Sequence, residues 1–129
     1  MYHVLVKGYY RVNYDATNWG MIVTQLLSDY QRIGLINRAQ LLDDSFNVAR
    51  VNKLSYPTPL SLALYLVNEK DYIPWVSATN GLGYIDLMFV RTSGYGDLKV
   101  LTLLQQSNPI FLVQRLTISR LFLFVFRFL

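Results

Sequence analysis

Residues 2–14 alternate in character with a period of two, as a single half-buried β-strand does. Tyr2, Val4, Val6, Gly8, Tyr10, Val12 and Tyr14 share one face. His3, Lys7, Tyr9, Arg11 and Asn13 share the other with Leu5. After Asp15 the apolar period becomes helical, so the body reads as one strand followed by helices. One strand cannot satisfy its own backbone donors and acceptors. It therefore pairs with another chain or belongs to a larger body, and the second reading is the one favoured here.

The helical part is punctuated by caps. Asp15 offers an N-cap, and Trp19, Ile22, Val23, Leu26 and Tyr30 follow at helical spacing. Arg32 suits the end of that helix and Gly34 closes it. A second helix opens at Asn37 with Gln40 three residues on, as in a capping box, and runs to about Arg50. Ala39, Leu42, Phe46 and Ala49 point inward, with Gln40, Asp43, Asp44 and Asn47 outward. Thr58 followed by Pro59 caps a third helix, whose run Leu60 to Val67 is apolar nearly all round. Pro74 opens a fourth, striped by Trp75, Leu82, Ile85 and Phe89, in which Gly81 and Gly83 each cost about 1 kcal/mol relative to alanine. A fifth begins near Asp97 and stops before Pro109. The fold class is mainly α.

The chain's 129 residues are long enough for one domain, not two. With 53% apolar and 16% charged residues it is no disordered segment. It contains no cysteine and one histidine, His3. Disulfide frameworks, thiolate metal sites and cysteine nucleophiles are excluded, and zinc or Ser/His hydrolysis of the usual kinds lacks its parts. The net charge of +4 is local: up to Asp97 eight basic and eight acidic residues cancel, and the excess is Lys99, Arg115, Arg120 and Arg127. That is a neutral body with a basic, apolar tail, not a phosphate-facing surface. Met1 to Val6, followed by Lys7, is too short for a signal peptide, and no Asn-x-Ser/Thr acceptor occurs.

Ordered landmarks run through the chain. Gly8-Tyr9-Tyr10-Arg11-Val12-Asn13-Tyr14-Asp15 is followed by Asn18-Trp19, then Asn37-Arg38-Ala39-Gln40-Leu41-Leu42-Asp43-Asp44, Phe46 and Ala49-Arg50. Leu54-Ser55-Tyr56, Leu62 to Leu66, Glu69, Tyr72-Ile73-Pro74-Trp75, Leu82, Tyr84 and Tyr95-Gly96-Asp97 continue the series. Over roughly residues 7–100 this resembles the C-terminal region of the zinc aminopeptidases of the aminopeptidase N type, which include the endoplasmic-reticulum aminopeptidases. The resemblance implies that residues 1–15 are the last strand of a β-sandwich. It implies that 16–100 start an all-α domain of armadillo or HEAT-type hairpins, and that 101–129 depart from the family.

It implies further that the segment caps the active-site chamber of a peptidase that removes N-terminal residues with a zinc-activated water. The partners would be the remaining domains, or a second copy, with peptides as substrates of the whole enzyme. Family members are variously plasma-membrane ectoenzymes, extracellular, lumenal or cytoplasmic. The His-Glu-x-x-His zinc helix and the Gly-x-Met-Glu-Asn amine site are absent from the sequence, so no catalytic or metal residue, and no zinc, is expected in this chain. Tyr10, Arg11, Tyr14, Trp19, Asn37, Arg38, Asp44, Phe46, Pro74 and Trp75 are expected to be structural. The alternative is a stand-alone helical interaction module.

Three local patterns invite other readings. Lys7 to Tyr14 superficially matches an RNA-recognition signature but fails at Tyr10 and Arg11, so no nucleic-acid partner is expected. Arg38 falls within the apolar arc of Leu41, Leu42, Phe46 and Ala49, and a buried guanidinium needs a carboxylate. Asp15 or an acid on the next hairpin would supply it, and binding of a substrate carboxylate is the weaker alternative. Asp43-Asp44 lacks a third metal ligand nearby and reads as a solvated arc. The tail, residues 110–129, admits a non-native extension, a membrane-associated segment or a genuine final helix. It has spanning length, but Arg115 and Arg120 would each cost about 2.5–3.5 kcal/mol near a bilayer centre.

Overall fold

A computed structural model describes residues 10–89, without the side chains of Asp86 and Phe89. Residues 1–9 of the expected strand, the helix near Asp97 and the tail lie outside the described residues. Among the described residues four α-helices, α1 (Ala16–Asp29), α2 (Leu35–Arg50), α3 (Pro57–Ala63) and α4 (Tyr72–Phe89), follow one another, with 3₁₀ turns at Tyr30–Arg32 and Leu64–Val67.

Helix α1 starts where its cap requires. Asp15 holds extended backbone angles (φ −67°, ψ 166°), and its carboxylate accepts the Asn18 backbone N–H at 2.8 Å. Asn18 Nδ2 donates to the second oxygen, also at 2.8 Å. These bonds, the backbone one foremost, hold the Asp15 carboxyl below the usual aspartate range. A depressed folded-state value stabilises the fold above the ordinary aspartate range, and that contribution disappears as pH falls through the lowered value. Asp15→Ala is therefore expected to lower the melting temperature at neutral pH. Asp15→Asn should keep most of the cap while removing this acid-dependent term. Circular-dichroism melts of the three proteins across the acid range check both statements.

The other boundaries shift from the sequence reading. Gly34 does not close the first helix: α1 finishes through the 3₁₀ turn Tyr30–Arg32, and Gly34, at φ −57°, is the N-cap of α2. Asn37 is consequently not a cap but the third residue of α2, and it is buried. Starting the helix early places Arg38 one turn above the Ile33 carbonyl, to which its Nη1 donates at 2.7 Å. The end of α2 is shaped by Asn52 in the left-handed region (φ 59°), with the Lys53 N–H on the Val48 carbonyl at 3.1 Å. Asparagine tolerates that conformation better than most residues. Helix α3 begins at Pro57, not after Thr58, and α4 begins two residues ahead of Pro74. Both prolines remain in a first turn, where the missing N–H has no intrahelical carbonyl to meet.

Helices α2 and α4 run side by side in the same direction. Arg38 meets Glu69 and Asp71 just ahead of α4, Phe46 meets Gly81, and the Arg50 guanidinium lies 4.0 Å over the Tyr84 ring. Helix α1 packs on α3 and its 3₁₀ continuation. Between these elements Trp19, Ile22, Leu26, Leu42, Phe46, Leu62, Tyr65, Leu66, Ala78 and Ile85 form one core.

Residues 10–15 do not form a strand, and among the described residues there is none. The reason is the one that makes a lone strand unstable: no neighbouring edge among those residues offers a ladder. The segment runs instead as a strap along α2, held by side chains.

Candidate functional site

Two clusters of charged residues stand out among the described residues. The inner one is built on Arg38. Its α2 position turns the guanidinium inward, leaving the side chain 6% exposed. Nε donates to Glu69 Oε2 at 2.7 Å and Nη2 to Glu69 Oε1 at 3.1 Å, a bidentate pair. Nη2 also reaches Asp71 Oδ2 at 2.9 Å, and the guanidinium lies 5.1 Å from the Tyr30 ring centre. Glu69 is fully buried at its side chain, yet every oxygen is engaged. It accepts the Tyr65 hydroxyl at 3.2 Å and the backbone N–H groups of Lys70 and Asp71 at 3.0 and 3.1 Å. Burial opposes the charge on Arg38, but hydrogen bonding and proximity to Glu69 outweigh it, so its proton is held more tightly than usual. Burial, reinforced by the Glu69 charge, pushes the Tyr65 hydroxyl well above the ordinary tyrosine value.

The outer cluster ties the strap to α2. Arg11 Nη1 pairs with Asp43 Oδ2 and lies 3.3 Å from Asp44 Oδ1, and the Val12 N–H donates to Asp44 Oδ2 at 3.3 Å. The hydrogen bond to Asp43 raises the Arg11 value despite partial burial. Asp44 is raised by burial, against the opposing pull of the Val12 N–H and Arg11. Further along the strap, Asn13 Nδ2 donates to the Lys53 carbonyl at 3.2 Å, and Asn13 Oδ1 accepts Trp19 Nε1 at 3.0 Å. Tyr14 stands edge-on to Trp19, ring centres 5.1 Å apart. Between α2 and α4 runs a cleft of about 180 Å³, lined by Arg11, Asp43, Asn47, Arg50, Asn80 and Tyr84 over a floor of Phe46 and Gly81.

The residues expected to be structural occupy these places. Arg38 has its carboxylate partners in Glu69 and Asp71, while Asp15 is engaged at the start of α1. Asp44 differs from the solvated arc expected of it: it is 5% exposed, because the strap closes over it. Trp19, Asn37, Phe46 and Pro74 are buried, and Trp75 is half-buried with Nε1 3.5 Å from the Glu69 carbonyl. Tyr10 is exposed beside the strap's arginine. Sequence reasoning did not single out Glu69, Asp71, Tyr65 and Tyr30 as the surroundings of Arg38. The demand of a buried guanidinium for an acid was visible, but which acid answers depends on how α3 returns the chain. Among the described residues no three His, Cys, Asp or Glu side chains gather as metal ligands would. No helix among them is long and apolar enough to cross a membrane.

The described residues thus form a mainly helical unit whose two charged clusters tie its elements together. Residues 6–115 match the family described as the ERAP1-like C-terminal domain, and the chain belongs to that family. The match extends past residue 100, where the landmarks thin out. Rat (Rattus norvegicus) aminopeptidase N is 47% identical over 109 residues, covering 84% of this chain and 11% of the relative. Human (Homo sapiens) aminopeptidase N is 45% identical over 107 residues, covering 83% and 11%. Chicken (Gallus gallus) aminopeptidase Ey is 44% identical over 91 residues, covering 70% and 9%. The chain thus spans about a tenth of the length of these relatives, within an aminopeptidase C-terminal region.

Proposed function

We propose that the chain is a non-catalytic piece of the C-terminal domain of a zinc aminopeptidase, and that its role in the whole enzyme is to cap the active-site chamber. In this reading α1 to α4 are the first armadillo- or HEAT-like hairpins, the strap at residues 10–15 leads in from a β-sandwich, and the tail beyond residue 115 lies outside the family pattern. The observation that carries it is identity of 42–49% to aminopeptidases of the N and Ey types in a sequence with one histidine and no His-Glu-x-x-His. The parallel α2–α4 pair supports the repeat reading, because successive hairpins of a solenoid place equivalent helices side by side. Zinc would supply the activated water in the whole enzyme, held by residues this chain does not contain.

Two measurements test the proposal. The purified 129-residue chain, with zinc added, is expected to release no anilide from an alanyl-anilide above the protein-free control. Zinc-dependent turnover that survives repurification and is removed by a chelator would overturn the non-catalytic assignment. Replacing the matched region of rat aminopeptidase N by residues 6–115 of this chain is expected to give a folded enzyme that still cleaves the same substrate. A folded chimera whose peptide selectivity equals that of an enzyme lacking the region altogether would remove the chamber-capping role.

A further inference from the structure

We draw no further inference here: the strongest candidate, the polar cleft between α2 and α4 lined by Arg11, Asp43, Asn47, Arg50, Asn80 and Tyr84, carries nothing because its charged groups already answer one another, Arg11 with Asp43 and Asp44 and Arg50 over Tyr84, and nothing in the structure shows what covers it.

Discussion

Glu69→Ala is expected to destabilise the fold by about 3–5 kcal/mol, the loss typical of removing one member of a buried ion pair. The carboxylate is the hub of the inner cluster: both of its oxygens take the Arg38 guanidinium, and it also receives the Tyr65 hydroxyl and two backbone N–H groups. Truncation leaves the guanidinium 6% exposed with Asp71 and the Ile33 carbonyl as its remaining acceptors. It also leaves a buried tyrosine hydroxyl without its acceptor. Unmet desolvation of that kind, more than the loss of attraction, sets the size of the effect. The comparison that isolates this cause is the double replacement Arg38→Met with Glu69→Leu. Removing both charges removes the stranded cation as well, so the double variant should be more stable than Glu69→Ala alone. Urea midpoints of the two variants and the parent chain decide the matter. A double variant less stable than the single one would show that attraction, not stranded charge, dominates.

Gly81→Ala and Gly83→Ala are expected to change stability in opposite directions. Both glycines lie inside α4, and helix propensity alone credits either replacement with about 1 kcal/mol. Around Gly83 no atom lies within 4 Å of an added Cβ. That replacement should gain about 0.5–1 kcal/mol through lower backbone entropy in the unfolded chain. At Gly81 the added carbon would sit 2.8 Å from Phe46 Cβ and closer still to the ring carbons Cγ and Cδ2. A Cβ cannot swing away by changing rotamer, so α2 and α4 must separate. Overpacking of a well-filled contact costs about 1–3 kcal/mol and, in a contact this close, outweighs the propensity gain. Thermal midpoints read the two signs directly. Adding Phe46→Leu to Gly81→Ala should recover part of the loss, since contacting sites couple. Equal stabilisation by both alanines would mean that α2 and α4 do not approach as closely as the structure has them.

The two predictions show where sequence reasoning reaches its limit. The four helices among the described residues were legible because each carries its own local signal: the Asp15 cap, the prolines in first turns and the apolar stripe of Trp19, Ile22 and Leu26. Boundaries were less so. Gly34 reads as a helix stop by composition, but its backbone serves equally as an N-cap, and only the demand of Arg38 for the Ile33 carbonyl shows which use prevails. The strand at residues 2–14 was read from alternation, yet alternation describes which sides are apolar and says nothing about a partner. For residues 10–15 the side chains of α2 and the Lys53 carbonyl take the place of a ladder.

What the sequence determined by itself is therefore local and compositional: a mainly helical chain, a neutral body, no cysteine, a single histidine, and one arginine on an apolar face. Those features follow from residue identity and spacing along a single element. The tertiary structure alone decided that Glu69 and Asp71 answer that arginine, that Asp44 is covered and that Gly81 differs from Gly83. Each of these depends on how closely two elements distant in sequence approach. Distance between elements is set by packing the whole core, which no window of sequence contains.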